Sequence, residues 1–298
     1  MLNRLLKGNV VVRTIAFPAL AIRRAILARQ EAVKRNVASN LASLLTEDPV
    51  LRLEEFESSY VVDRRSDLFS RIVTNRSYEP ELANLCRKYV DSKKDVVDIG
   101  ANVGFFSVFF ASLTLGKVLS VEPTPNAISY LKRNIEMNDA SDRVIVYEGA
   151  ASDQEGQIEI KSVLGKEEYS SLGVMSHPEI TGSEWKLIRI ETSTLDNLVK
   201  TNNLSPGFLK VDVEGMEHLV FGGASDTLRN HRPIIISELS NFLLKKNGSS
   251  ARAVVEKIRS FGYDVYDPID PYLKPGAKDF GDLIAFPKEL NVVFPQGS

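Results

Sequence analysis

Asp98-Ile99-Gly100-Ala101-Asn102-Val103-Gly104 is the stretch from which the rest of the chain is read. An apolar run, residues 96–99, leads into it, and residues 105–115 behind it read as a buried helix. Strand, glycine turn and helix thus follow without a gap. Gly100 allows the backbone to reverse sharply, and Gly104 lets the helix start lie close to a ligand. Asn102 stands where many such loops carry a central glycine, and asparagine tolerates a left-handed backbone better than most side chains do.

Working outward, residues 118–121 make the next β-rich run, closed by Glu122-Pro123. Residues 126–137 place Ile128, Leu131 and Ile135 at helical spacing, and residues 144–147 make a third strand. Strands alternating with helices on this scale predict βαβ units and a parallel sheet. The pattern then changes. Residues 157–163 and 187–192 alternate apolar with polar, which predicts an antiparallel pair near 157–192 with a long polar loop, residues 165–184, between its strands. Parallel-type strands resume at 208–211 and 234–237. Residues 252–261 read as a helix ended by Gly262. Residues 264–266 and 283–286 read as two closing strands around a loop with Pro268, Pro271, Pro275 and Gly276. The expected organisation is a basic helical extension (1–50), a helical cap (51–94) and a core domain (95–298).

Composition narrows the function. Of 298 residues, 43% are hydrophobic and 26% charged, as in a soluble globular protein and not a disordered one. A single cysteine, Cys86, excludes a disulfide scaffold and a cysteine zinc site. Three histidines (His177, His218, His231) leave little for a histidine-rich metal site. Residues 1–36 carry eight cationic side chains against Glu31 alone, a charge of +7, so the remainder of a chain with net charge −2 carries −9. An acidic body argues against nucleic acid as a partner.

The leader does not read as a membrane span. Its apolar run, residues 15–22, is far shorter than the roughly 20 residues needed, and Pro18 interrupts it. Arg13 and Arg23-Arg24 break up a signal peptide. There remain a helical extension packed on the body or on a second subunit, a basic surface-seeking helix with Leu2, Leu5, Leu6, Ala19, Leu20 and Ile26 as its apolar residues, and an organelle transit peptide. The expected location is cytoplasmic. Peripheral membrane contact through residues 1–36 and a homo-oligomer are open alternatives.

Two cofactors use a strand–glycine turn–helix. A dinucleotide site needs G-x-G-x-x-G. Counted from Gly100, its second and third glycines fall on Asn102 and Phe105, so the phosphate-cradling residues are missing and a dehydrogenase is disfavoured. S-adenosyl-L-methionine has no phosphate. It needs a tight turn beside its amino-acid part, an acid near its positive end (Asp98), and a carboxylate able to accept from both ribose hydroxyls (Glu122). In open α/β sheets ligands sit at the carboxyl ends of the strands. That rule gathers Asp98, Glu122, Asp212, Glu214 and Glu238 on one rim.

Together these residues resemble the FkbM family of class I methyltransferases. The resemblance rests on residues 98–104, on Glu122-Pro123, on Leu209-Lys210-Val211-Asp212-Val213-Glu214-Gly215-Met216-Glu217, and on Arg232-Pro233 ahead of Ser237-Glu238. Smaller echoes are Tyr78-Glu79-Pro80, Tyr169-Ser170-Ser171-Leu172 and residues 283–287. It spans about residues 60–287 and leaves the leader out. It implies a Rossmann-like α/β fold with a seven-stranded, mostly parallel sheet whose last strand is antiparallel, helices on both faces, and S-adenosyl-L-methionine as methyl donor. It also implies an oxygen acceptor on a sugar, glycan or other small molecule.

On this footing Asp98, Gly100, Asn102, Gly104 and Glu122 are the expected cofactor residues. Ala150 joins them because the end of the third strand lies beside the adenine in similar enzymes. A neutral hydroxyl must lose its proton, so a general base is expected within reach of it. Lys210, Asp212, Glu214 and Glu238 are the candidates, with His231 a further one. Lys210 has a rival role as ion-pair partner of Asp212 or Glu214. Glu217 reads as a surface helix residue, and His218 and His177 as surface or hydrogen-bonded histidines. No metal is expected; Asp212, Glu214 and Glu238 holding a divalent ion is the minority alternative. Trp185, Tyr169 and Tyr272 lie near the two long loops and could stack on a sugar. The main functional rival is a non-catalytic cofactor-binding or scaffold protein that retains the fold.

Overall fold

A computed structural model describes residues 29, 32–34, 36–163, 171–172, 185–269 and 279–292. Residues 1–28, Tyr169, His177 and Tyr272 lie outside the described residues, as does most of each long loop. The chain divides into two compact units, residues 1–49 with 63–78, and residues 50–62 with 79–298.

The smaller unit is helical at residues 36–44 and in α1 (Asp67–Asn75). Ser66 caps α1 by accepting the Phe69 N–H, which satisfies one of the donors a helix start leaves open. The Arg64 guanidinium donates to the Ala42 carbonyl at 2.7 Å and ties the two helical pieces together.

The larger unit opens with an antiparallel pair, β1 (Val50–Leu53) and β2 (Ser58–Val61), then α2 (Pro80–Tyr89), whose proline sits in the first turn, where its missing N–H costs nothing. The core follows as β3 (Asp95–Ile99), α3 (Phe105–Leu113), β4 (Val118–Val121), α4 (Pro125–Met137) and β5 (Val144–Tyr147). Next comes the inserted sheet: β6 (Ala150–Ser152), β7 (Gly156–Val163), β8 (Ser171–Leu172) and β9 (Trp185–Thr194). In it β7 and β9 run antiparallel in unbroken register from Gly156↔Thr192 to Val163↔Trp185, as the alternation predicts. The chain closes with α5 (Leu195–Thr201), β10 (Pro206–Val211), α6 (Glu217–Gly222), β11 (Ile234–Ser240), α7 (Asn241–Lys246), α8 (Ala251–Ser260), β12 (Tyr263–Tyr266) and β13 (Phe280–Pro287).

The main sheet has seven strands in the order β12-β13-β11-β10-β3-β4-β5. The pairs β11–β10, β10–β3, β3–β4 and β4–β5 are parallel, while β13 lies antiparallel between β11 and β12. The expected sheet, parallel with its last strand reversed, is the one observed. Alternation within the strands sorts the two faces. Val97, Ile99, Leu119, Val121, Leu209, Val211 and Ile235 enter one large apolar cluster with α5 and α8. Asp98, Ser120 and Lys210 take the other face. The parallel register sets them side by side, Ser120 opposite Asp98 and Asp98 opposite Lys210. That face is covered by the phenylalanines of α3, with the Phe110 ring 5.6 Å from Phe208. A polar row thus runs under an apolar helix, and it ends at the rim where the turn begins.

Among the described residues, no helix is long and apolar enough to cross a membrane.

Candidate active site

Backbone geometry makes the turn after β3. Gly100, Asn102 and Gly104 have φ of +80°, +49° and +91°. At Gly100 space is as decisive as the dihedral, since a Cβ there would stand 1.7 Å from the Asp212 carbonyl oxygen. The N–H groups of Gly100 and Ala101 both donate to the Val121 carbonyl, at 2.9 and 3.0 Å, which folds the turn over the end of β4. The next N–H, of Asn102, donates to Glu122 Oε2 at 2.9 Å. The other oxygen of Glu122 accepts the Thr124 N–H and hydroxyl. Glu122 is therefore the joint between turn and strand end. Burial pushes its carboxyl above the ordinary value, opposed by the bonds from Thr124 and Asn102. Each carboxylate oxygen has two lone pairs, so Oε2 can still accept from a ligand.

Asn134 braces the turn from α4. Its amide donates to the Val103 carbonyl at 2.8 Å and to the Val61 carbonyl at 3.1 Å, and its oxygen accepts the Val61 N–H at 2.7 Å. The sequence offers only its place three residues after Leu131 on the apolar side of a helix; its full burial belongs to the fold.

Asp98 is fully buried under the turn. Ser120 donates to Ser107 at 2.7 Å, and Ser107 donates to Asp98 Oδ2 at 2.6 Å. Oδ1 has no hydrogen bond; the Lys210 ammonium is 3.8 Å away. Burial raises the Asp98 carboxyl against the pull of Lys210. Lys210 is buried too, lies 5.0 Å over the Phe106 ring, and donates to Asp212 Oδ2 at 3.3 Å. Burial alone would lower its ammonium, but Asp212 and Asp98 more than reverse this and leave it raised. A lysine held charged in this way orients carboxylates and cannot take up a proton, so the ion-pair role is the one its surroundings suit.

Asp212, Glu214 and Glu238 converge at the ends of β10 and β11. Each offers one carboxylate oxygen, and these oxygens lie within 4.8 Å of one another. They could hold a divalent cation, since hard oxygen donors suit Mg²⁺ or Ca²⁺. Burial, then the charges of Asp212, Glu214 and Asp282, hold the Glu238 carboxyl well above the usual range. The β11–β13 register sets Asp282 directly opposite Glu238. Ala150 begins β6 just past the end of β5, half-buried and paired with Thr192.

Two expected roles change. Glu217 is not a surface residue. It is 1% exposed, Oε1 accepts the Gly215 N–H at 3.1 Å, and Oε2 has no hydrogen bond. Burial pushes its carboxyl up to about 7. Glu217 lies on the same face of α6 as the buried Val220 and Phe221, at helical spacing from them, so it points into the core. His231 precedes β11 and so stands at the opposite end of the sheet from Glu238. The adjoining Arg232 is structural. It grips both Glu289 oxygens and the carbonyls of Leu228, Phe261 and Gly262.

Strand order, reversed last strand, glycine turn and acidic rim together define the class I methyltransferase fold. A family model described as the methyltransferase FkbM domain matches residues 98–265, and the chain belongs to that family. It is similar to methyltransferase sdnD of Sordaria araneosa, 27% identical over 185 residues that cover 53% of this chain and 68% of that one. Among solved structures, an FkbM methyltransferase from Methylobacillus flagellatus KT is 17% identical with a TM-score of 0.44. The match covers 65% of this chain and 44% of that one, so this chain spans under half of its length. An O-methyltransferase from Bacillus cereus in complex with SAH is 15% identical with a TM-score of 0.35, covering 69% and 76%.

Proposed function

We propose that the protein is an S-adenosyl-L-methionine-dependent methyltransferase that methylates a hydroxyl of a sugar, glycan or other small molecule. The observation that carries this reading is the turn at Gly100–Gly104, stitched through the Asn102 N–H to a strand-end carboxylate with accepting capacity left. The residues fit the cofactor. The turn keeps its backbone free of side-chain bulk at Gly100 and Gly104, and Glu122 is already aimed by two backbone N–H groups. Gly100, Asn102, Gly104 and Glu122 would hold it, with Ala150 flanking and Asp98 supporting the turn from beneath.

When bound, the cofactor supplies a sulfonium-activated methyl group to an acceptor oxygen. Removal of the hydroxyl proton falls to the acidic rim. Glu238 is made basic by burial and by its carboxylate neighbours, which suits it to accept that proton. Lys210 fixes Asp212 beside it. Positioning of the acceptor against these groups supplies much of the rate.

The test is calorimetric titration of the protein and its Glu122→Ala variant with S-adenosyl-L-methionine and S-adenosylhomocysteine. Micromolar binding by the parent and at least about tenfold weaker binding by a folded variant is expected, the loss of one charge-assisted hydrogen bond. A folded parent that binds neither compound overturns the reading.

A further inference from the structure

In the smaller unit, the helix at residues 32–34 and 36–44 turns an apolar face to solvent. Val33, Val37, Leu41 and Leu44 are 58%, 56%, 39% and 79% exposed. At 3.6 residues per turn they project within about 80° of arc, a stripe along one side. Ala38, farther round the helix, is 1% exposed, so the side that seats the helix is not the side it shows. Exposed apolar residues scattered singly need no explanation, but a stripe in helical register does. Arg29 and Lys34 fall on its two margins.

Charge identifies the occupant. The unit that contains this helix, residues 1–49 with 63–78, holds twelve Lys and Arg against five Asp and Glu, a net +7. The other unit therefore carries −9 of the chain's −2. Two copies meeting through the stripe would bring two such cationic units together. An anionic lipid surface satisfies both the apolar stripe, with Arg29 and Lys34 on its margins, and the cationic sequence of its unit.

We propose that this helix face docks the protein on anionic membrane surfaces, with Val33, Val37, Leu41 and Leu44 in the interface and Arg29 and Lys34 at its margins toward the headgroups. The four apolar side chains lie along one side of the helix over residues 33–44, so the contact lies in the membrane plane. It is independent of the catalytic reading.

Co-sedimentation of the full-length protein with vesicles tests it, comparing pure phosphatidylcholine with phosphatidylcholine containing about 30 mol% phosphatidylserine. Binding to the anionic vesicles is expected, weakened by salt at about 0.5 M, where screening reaches only a few ångströms. The Val37→Glu/Leu44→Glu variant should lose about tenfold or more in vesicle affinity with its melting temperature preserved. Leu115→Glu alters an equally exposed apolar residue, 83% exposed, in the other unit and should change nothing. Absence of vesicle binding by the parent overturns the proposal, as does full binding by the double variant. A double variant that only converts a dimer to a monomer in analytical ultracentrifugation also overturns it and assigns the stripe to a second copy.

Discussion

Replacing Gly100 with alanine separates backbone strain from steric collision at the heart of the site. A left-handed dihedral costs a residue with a Cβ about 1–2 kcal/mol. At Gly100, φ +80°, the new Cβ would also lie 1.7 Å from the Asp212 carbonyl oxygen, where real contacts do not fall below 3.0 Å. Turn or strand must then part by about 1.3 Å. That movement strains the Asp212 N–H to Ile99 bond and the Gly100 N–H to Val121 bond, both 2.9 Å, each worth about 1 kcal/mol. The expected total is about 3–4 kcal/mol. Gly248 supplies the control. Its φ is +78°, nearly the same, but nothing lies within 4 Å of a Cβ there, so Gly248→Ala should cost the strain alone, about 1–2 kcal/mol. Urea unfolding of the two variants against the parent measures the difference, expected near 2 kcal/mol. In thermal scans the gap should be about 3 °C. Cofactor titration should show Gly100→Ala impaired and Gly248→Ala unchanged. Equal destabilisation by the two substitutions would refute the claim that contact with Asp212 dictates glycine at position 100.

Three further outcomes follow from the buried charges. Lys210→Met leaves Asp98 buried with Ser107 as its one donor and should cost about 3–5 kcal/mol in urea unfolding, while adding Asp98→Asn should recover part of it; strictly additive costs would show that the pair does not interact. Glu217, raised from 4.5 to about 7, holds its proton in the folded state after the unfolded chain has released it. Its contribution is therefore complete below pH 4.5 and is withdrawn as the pH climbs to 7, a span of about 3 kcal/mol. Glu217→Gln should gain on the parent by about that much between pH 4.5 and pH 8 in urea unfolding, and a pH-independent difference would count against a carboxyl titrating in this range. Finally, dialysis against EDTA should leave S-adenosyl-L-methionine affinity intact, because the turn and Glu122 are distinct from the Asp212–Glu214–Glu238 cluster; a fall in calorimetric affinity on chelation would put a cation in the cofactor site.

The parts of the protein legible in one dimension are those written in local periodicity and turn chemistry. The apolar runs of β3, β4 and β10, the helical spacing of α4 and the glycine turn predict a parallel sheet and its ligand-binding rim, because burial on both faces leaves a continuous apolar signature. The alternation of β7 and β9 identifies the inserted antiparallel pair for the same kind of reason. Carboxylates that follow strands are likewise readable as rim residues. What their neighbours do to them is not. Asp98 lies opposite Lys210 only because β3 and β10 pair in one register across more than a hundred residues of chain. Ser107 becomes the donor to Asp98, with Ser120 donating to Ser107 behind it, only when α3 lies over that face of the sheet. Asn134 braces the glycine turn from a different helix, and Glu217 faces the core from the first position of α6. Composition and local pattern determined the fold class and the rim. Tertiary structure alone decided which acids are buried, which of them are raised above the ordinary carboxylate range and which face one another, because the proton affinity of a buried group is set by desolvation and by partners that the chain brings from far away.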